Sequence, residues 1–254
     1  MQNWLKDKTG FITGATGWFG LWICNYLDFI KAPHERLIHG EQNIKNFVFP
    51  KQVDYIIHLS PGPVHLVIAC AKHFNCQVLF TSSGAVYGNP VNEYGMKKQD
   101  NEMEFIESGI DVRIARCFTF AGPGIPFDRG YALASFIRAG LRKEPLHIWG
   151  SGGEVRTYLY MSDLVDWLLN ILVNGESGKT YDVGGDEEIT IYELAKIIAR
   201  QFHIEIVIEN RRVGCEYYVP DIGEAQKIGC EIKVPMREAI RKTINYYRVN
   251  RGNW

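Results

Sequence analysis

The stretch TGATGWFG, residues 13–20, decides the fold that the sequence predicts. It contains three glycines at the spacing G-x-x-G-x-x-G, namely Gly14, Gly17 and Gly20. Residues 8–13 before them have the apolar pattern of a strand, and residues 18–29 after them have apolar residues at helical spacing. Glycines between a strand and a helix permit a tight turn and let backbone approach a pyrophosphate at the helix N-terminus. The stretch predicts a phosphate-binding loop, and the alternative is a tight turn that binds nothing.

Short apolar runs of strand length recur along the chain, with helical patterns between most of them. They cover residues 55–59, 77–81, 111–115 and 180–183. Strands that alternate with helices are typical of a parallel, doubly wound sheet, so the predicted fold class is α/β.

After about residue 122 the pattern loosens into loops that contain Gly and Pro. Helices are predicted there at residues 132–141 and 235–247. We expect a dinucleotide-binding domain and a smaller part that interleaves with it toward the C-terminus. The first covers residues 1–122 and 155–186, and the second covers residues 123–154 and 187–254.

The composition is that of an ordinary globular protein. The 28 Lys and Arg balance 29 Asp and Glu, so a net charge of −1 predicts no nucleic-acid or membrane partner. The six cysteines are Cys24, Cys70, Cys76, Cys117, Cys215 and Cys230. They contain no C-x-x-C pair, which suits reduced thiols in a core, and no metal site is predicted. No apolar run approaches about 18 residues, and a first strand reached by Thr9 leaves no room for a signal peptide. We therefore expect a cytoplasmic protein.

A second group of motifs contains residues that could catalyse a reaction beside the glycine loop. The segment TSSGAVYG at 81–88 is followed by EYGMKK at 93–98, in which Tyr94 and Lys98 are four residues apart. On a helix these two side chains share a face. A nearby ammonium stabilises a phenolate and lowers the pKa of a tyrosine, which makes it usable as an acid or base near neutral pH. The alternative is a solvated helix face, since Y-x-x-x-K is common by chance.

With these motifs in place, the sequence resembles the extended short-chain dehydrogenase/reductases, in the NAD-dependent epimerase/dehydratase branch that acts on nucleotide sugars. The matching stretches run in order along the chain: TGATGWFG, VDYIIHLS, LFTSSGAVYG, EYGMKK, IARCFTFAGPG, LHIWGSGGEVRTYLYMSDLV, GKTYDVGGDEEITIYELA and PDIGEAQKIG. The resemblance implies a Rossmann-type sheet with a smaller substrate-binding part, NAD as cofactor with NADP not excluded, and a nucleotide-diphosphate sugar as substrate.

The resemblance also implies residue roles. Ser83 matches the hydroxyl residue that bonds the reacting sugar oxygen, Tyr94 the acid/base, and Lys98 the residue that holds the nicotinamide ribose. The implied cofactor-binding residues are Gly14, Thr16, Gly17, Trp18, Phe19, Gly20, Glu41, Leu59, Ser60, Tyr94 and Lys98. The implied substrate-binding residues are Ser83, Thr119, Arg156 and Arg212, of which the arginines grip the diphosphate in a fixed fork. Asp163 is expected to be a structural helix cap.

The chain departs from the family pattern in three shortened segments: residues 21–53, 58–74 and 87–95. In the first, one strand or helix is expected to be lost or shrunken. The acid that recognises the ribose normally follows the second strand. The candidates for this position are His39 and Glu41, of which Glu41 lies at about the expected distance from Gly20. A carboxylate there favours NAD, although Glu41 also suits an adenine contact or a solvated position. Thr119 stands where the family has an asparagine. The threonine offers a hydroxyl donor but lacks the paired donor and acceptor of the amide.

The residues after Ser83 bear on the reaction. Sugar dehydratases of this family have Asp and Glu there, whereas this chain has Gly84 and Ala85, which carry no proton. We therefore expect a C4-epimerase-like enzyme, with an NADPH-dependent 4-ketosugar reductase as the alternative and a non-catalytic nucleotide-binding protein as a third hypothesis. The resemblance also implies a homodimer formed through helices at residues 64–74 and 94–108.

Overall fold

The computed structural model describes residues 1–37, 50–60, 62–88, 90–209 and 217–250. The strands, in chain order, are β1 (Gly10–Thr13), β2 (His34–Leu37), β3 (Tyr55–His58), β4 (Gln77–Ser83), β5 (Val112–Cys117), β6 (Phe120–Ala121), β7 (Leu146–Ile148), β8 (Val155–Arg156), β9 (Leu159–Tyr160), β10 (Thr180–Val183), β11 (Ile189–Thr190), β12 (Ile206–Ile208) and β13 (Tyr217–Tyr218). The helices are α1 (Gln2–Lys6), α2 (Trp18–Phe29), α3 (Val64–Phe74), α4 (Glu93–Glu107), α5 (Ala132–Arg142), α6 (Met161–Asn174), α7 (Ile191–Phe202), α8 (Gly223–Lys227) and α9 (Met236–Val249). A 3-10 turn, Gly84–Tyr87, follows β4.

The chain divides into two compact units, each built from three segments. The sheet unit contains Met1–Cys117, Leu164–Val183 and Asp221–Glu231. The second unit contains Phe118–Asp163, Gly184–Pro220 and Ile232–Trp254. These bounds differ from the predicted domains mainly at residues 155–163, which lie in the second unit, and at residues 221–231, which lie in the sheet unit.

The sheet unit is built on a six-stranded parallel sheet in the order β10-β5-β4-β3-β1-β2. The predicted α/β class with a parallel doubly wound sheet is confirmed. The strand order reverses between β1 and β3. The carboxyl ends of these two strands therefore border the crevice in which such sheets bind ligands. Among the residues described, β2 is the only strand beyond β1, and residues 38–49 of the shortened segment lie outside the described part of the chain.

Most element ends agree with the sequence pattern within one residue, and the larger differences are at the start of β1 and at the ends of β4, β5 and α9. β1 begins at Gly10, later than predicted, because the short helix α1 and a turn come first. β4 runs on to Ser83, two residues beyond the predicted end, because Ser82 and Ser83 continue the ladder with Arg116 and Cys117 of β5. Thus the hydroxyl side chain expected at the site ends a regular strand.

One core cluster of the sheet unit lies where α3 and α4 cover the sheet. Its buried members are Phe11, Val53, Ile56, Val64, Val67, Ile68, Cys70, Ala71, Cys76, Val78, Phe80, Phe105, Val112 and Ile114. Burial raises the pKa of the Cys70 thiol to about 11 and those of Cys76 and Cys117 to about 12. These thiols are therefore protonated at neutral pH, as Cys residues of a reduced core are expected to be.

The second unit contains short sheets, of which β11-β8-β13 carries Arg156. Asp163, expected to cap its own helix, has a different structural role: its Oδ2 accepts hydrogen bonds of 2.9 Å from the N–H groups of Lys233 and Val234. It thereby ties the start of α6 to the segment before α9. In the described part of the chain no helix has the length and apolar character needed to cross a bilayer.

Candidate active site

The glycine loop after β1 is shaped by close backbone approaches. Gly14 has φ +72°, which favours glycine, and a Cβ there would lie 3.0 Å from the backbone of Leu59 and Ser60. A Cβ on Gly20 would overlap the Gly14 carbonyl oxygen and come within 2.7 Å of the Ala15 Cα. The first glycine therefore brings the loops after β1 and β3 together, and the third brings α2 against the loop.

Gly17 differs from these two because it is exposed. It is the N-cap of α2, with no side chain capping the helix, and its N–H donates to the Gly14 carbonyl at 3.0 Å. Bare backbone at a helix N-terminus, next to the strand-order reversal, fits the pyrophosphate of a dinucleotide. Thr16 is exposed beside it, and Trp18 and Phe19 are half-buried in the first turn. These predicted cofactor-binding residues thus lie together, with Leu59 and Ser60 next to them.

Tyr94 and Lys98 lie in the first turns of α4. The helix begins at the cap Asn92, whose Oδ1 accepts the Gly95 N–H at 2.8 Å. The Tyr94 side chain is 55% exposed, whereas Lys98 is buried and donates from Nζ to the Thr81 carbonyl at 2.8 Å. The Lys98 ammonium lies 5.9 Å from the centre of the Tyr94 ring. The predicted shared face is therefore present, with an accessible phenol above a buried cation.

Burial sets the state of Lys98. It lowers the pKa of the ammonium to about 8, an effect that the field of Lys97 increases and the negative charge of Glu102 opposes. The Nζ also lies 4.8 Å from the centre of the Phe80 ring, a cation–π distance that favours the charged form. At neutral pH Lys98 is therefore mainly a cation.

Ser83 and α4 are held against each other by the 3-10 turn. Ser83 caps this turn, and its Oγ accepts the Ala85 N–H at 3.2 Å. A Cβ on Gly95 would overlap the Ala85 carbonyl oxygen, and the Gln99 amide donates to the Val86 carbonyl at 2.9 Å. The start of α4 therefore packs directly on the turn that follows Ser83. The sheet unit thus brings Ser83, Tyr94 and Lys98 into one neighbourhood.

Two predicted substrate-binding residues lie in the second unit. The hydroxyl of Thr119 donates its proton to the Thr157 carbonyl. Toward a ligand, the Thr119 oxygen can therefore only accept a hydrogen bond. Arg156 lies with its Cζ 5.5 Å from the centre of the Tyr218 ring and donates from Nη1 to the Val155 carbonyl at 2.8 Å. The other two predicted contacts, Glu41 and Arg212, lie outside the described residues.

Sequence reasoning missed a partly buried polar network beside the site. It joins Tyr87 of the 3-10 turn, Glu102 of α4, Arg116 of β5 and Asp182 of β10. A signal was available, because Arg116 interrupts a strand whose neighbours are apolar, and Glu102 follows Lys98 by one helical turn. What the sequence could not show is which distant side chains meet.

Comparisons with known proteins identify the family of the chain. The profile of the NAD dependent epimerase/dehydratase family matches residues 50–184. UDP-glucuronic acid decarboxylase 4 of Arabidopsis thaliana is 30% identical over 201 residues, which are 63% of this chain and 45% of that protein. The chain thus spans about half the length of the curated relatives it matches. The family match confirms the predicted resemblance and the predicted cofactor, NAD.

Solved structures share the fold. UDP-glucose 4-epimerase from Thermotoga maritima, solved with UDP-glucose, is 20% identical with a TM-score of 0.82, over 95% of this chain and 99% of that one. UDP-glucuronic acid 4-epimerase from Bacillus cereus, solved with NAD, is 18% identical with a TM-score of 0.81, over the same shares of both chains.

Proposed function

The chain belongs to the NAD dependent epimerase/dehydratase family, and from that premise we propose that it is a nucleotide-sugar epimerase that inverts C4 through a 4-keto sugar. The observation that carries the proposal is the pairing of an exposed Tyr94 with a buried Lys98, on a helix packed against the turn that follows Ser83. The glycine loop beside them fits the cofactor. NAD, when bound, supplies the acceptor for the hydride that leaves C4 and the donor that returns it.

Tyr94 moves the proton in this mechanism. Its phenolate oxygen takes the proton of the C4 hydroxyl as the C–H bond breaks, and the sugar becomes a ketone. When the sugar presents its other face, the phenol returns the proton to the ketone oxygen as the C–H bond forms again. The exposure of the Tyr94 side chain supports this role, because the hydroxyl must be reachable by a sugar.

Lys98 and Ser83 stabilise the charges that this proton transfer creates. The Lys98 ammonium favours the phenolate form of Tyr94 through its charge, and burial strengthens that field. The Ser83 oxygen accepts from the Ala85 N–H, so its own proton remains available to donate to the sugar oxygen. In the second unit, Arg156 is proposed to bind the diphosphate. The predicted roles of Glu41, Thr119 and Arg212 stay predictions.

The turn after Ser83 supports epimerisation over dehydration. Water elimination needs a group that takes a proton and one that gives it to the leaving hydroxyl. Gly84 and Ala85 offer neither, and the other residues of the turn, Val86 and Tyr87, are not carboxylates. A second candidate is decarboxylation of a uronic acid, favoured by the 30% identity to UDP-glucuronic acid decarboxylases. This reaction tolerates the absence of carboxylates, since CO₂ leaves from the 4-keto sugar itself.

The test is a product assay on the full chain with NAD. We expect UDP-glucose or UDP-glucuronic acid to be converted to its C4 epimer, seen by proton NMR, with no net change in reduced nicotinamide. Release of CO₂ from UDP-glucuronic acid would support the second candidate instead. If the protein oxidises one NADPH for each nucleotide-4-ketosugar that it converts, it is a reductase. Binding of NAD without turnover of any nucleotide sugar would leave only a nucleotide-binding role.

The outer face of α4 supports a homodimer. Met96, Met103 and Ile106 on this helix are 49%, 59% and 44% exposed, whereas α3 presents His65, Lys72 and His73 to solvent. An apolar stripe of this kind, left in water, favours association. The proposed dimer therefore uses α4 more than α3.

We expect Met103→Glu combined with Ile106→Glu to convert the dimer to a monomer, because burying two carboxylates in an interface is costly. Light scattering after size exclusion measures this. Ile208→Glu, at a residue of β12 that is 47% exposed, is the matched control and should leave the dimer intact. A monomeric wild-type protein, or a double variant that stays dimeric, would refute this interface.

A further inference from the structure

Arg116 connects the helix that carries Tyr94 and Lys98 to the turn that follows Ser83. Its Nε and Nη2 donate to the two carboxylate oxygens of Glu102 on α4, at 3.0 and 2.6 Å. Its Nη1 donates to the hydroxyl oxygen of Tyr87, the last residue of the 3-10 turn, at 2.6 Å. A planar guanidinium donates in a fixed fork, so it fixes the direction of both partners as well as their distance.

The same connection continues to the edge of the sheet. The Tyr87 hydroxyl donates to Oδ1 of Asp182 on β10 at 2.9 Å, and Oδ2 of Asp182 accepts the Asp221 N–H at 3.2 Å. The Arg116 Cζ also lies 4.7 Å from the centre of the Tyr87 ring. Tyr87 is thus held from both sides, although its side chain is 55% exposed.

We propose that Arg116 is a positioning residue for the proposed reaction: by gripping Glu102 and Tyr87 together, it fixes Tyr94 and Lys98 relative to Ser83. Glu102 lies one helical turn beyond Lys98 on the same face of α4. Movement of Glu102 away from Arg116 therefore moves the segment that carries both active-site side chains. Each of the three guanidinium nitrogens of Arg116 donates to Glu102 or Tyr87, so in this proposal Arg116 acts through these two residues and not on the sugar or the cofactor.

The network also acts on Lys98 through charge. Glu102 favours the Lys98 ammonium, and Arg116 offsets that carboxylate. The other charged or titratable groups around Lys98 are Tyr94 and Lys97 on α4, Cys117 on β5 and Tyr87 on the turn. β4 offers only the Thr81 carbonyl and the Phe80 ring, and α3 turns its histidines and Lys72 to solvent and buries the Cys70 thiol.

Substituting Arg116 and substituting Glu102 are therefore expected to shift the pKa of Lys98 in opposite directions. Arg116→Met removes a cation and leaves Glu102 unopposed, so the pKa of Lys98 should rise by about one unit. Glu102→Gln removes the anion and leaves Arg116 unopposed, so the pKa should fall by about one unit. The double variant should return to within a few tenths of wild type. These pKa values are read by NMR titration of labelled lysine side chains, with Lys98→Met used for assignment.

Kinetics separate position from charge. Arg116→Met should lower kcat by about 100-fold with KM changed less than about threefold, because the active-site groups are misplaced while the substrate contacts remain. The double variant should keep most of this loss, since restoring charge does not restore the fork. Arg116→Lys keeps the charge and loses the fork, so it should lose kcat with little change in the pKa of Lys98, and it serves if the Met variant does not fold.

Arg113→Met is the matched control, because Arg113 is the other arginine of β5 and also forms an ion pair. It pairs with Asp111 at 2.6 Å and donates to the Gly175 carbonyl at 2.9 Å, away from α4. It should lose stability without changing the Lys98 titration or kcat. If Arg116→Met behaves like Arg113→Met, Arg116 is only structural and the proposal is wrong. The NMR titration needs no turnover, so it tests the charge coupling even if no nucleotide sugar reacts and the proposed function fails.

Discussion

Tyr94→Phe is expected to reduce kcat by about 1,000-fold, the range of loss when a general acid–base group is removed. Phenylalanine keeps the ring above the Lys98 ammonium and lacks the oxygen that takes and returns the proton. Because Tyr94 is 55% exposed, the substitution changes an accessible side chain and not a core residue. The variant should therefore fold normally, bind NAD normally and change KM by less than about threefold.

Tyr246→Phe is the control for this experiment. Tyr246 is 42% exposed on α9 in the second unit, so its substitution removes a hydroxyl of similar accessibility far along the chain. Initial rates of product formation with the nucleotide sugar identified by the product assay measure both variants. A Tyr94→Phe protein that keeps more than about a tenth of the wild-type kcat would assign the proton transfer to another group.

The elements that carry Tyr94 and the glycine loop could be predicted because their signals are local. α2 spans Trp18–Phe29, as the helical spacing indicated, and α4 begins one residue before Tyr94. In both cases the residues that define the helix are adjacent in the chain. The spacing of Tyr94 and Lys98 then determines their shared face without any knowledge of the rest of the fold.

The parts that could not be predicted depend on contacts between distant residues. Tyr87 and Asp182 are separated by 95 positions, and only the pairing of β10 with β5 brings them together. β4 reaches Ser83 because β5 offers it partners, although Ser82 and Ser83 are polar. The engagement of Thr119 with the Thr157 carbonyl is likewise invisible in sequence, since a threonine reads the same whether its proton is used or available.

Gly17→Ala and Gly20→Ala are expected to fail in different ways, which tests the loop as a cradle for NAD. Gly17 has φ −72° and ψ 169°, which alanine adopts freely, and its new Cβ would lie 3.3 Å from the Gly14 carbonyl oxygen. The protein should fold with nearly unchanged Tm. The added methyl group projects from exposed backbone where the pyrophosphate must approach, so the Kd for NAD should rise about 100-fold.

Gly20→Ala places its Cβ inside the packed loop instead, within 2.7 Å of the Ala15 Cα. Backbone cannot give way as a flexible side chain can, so α2 must move from the loop and Tm should fall by about 5 °C or more. Calorimetric titration of the NAD-free protein and thermal unfolding measure the two effects on the same samples. If Gly17→Ala binds NAD as tightly as wild type does, the pyrophosphate lies elsewhere. If Gly20→Ala is as stable as wild type, a glycine at position 20 is not needed for α2 to pack closely on the loop.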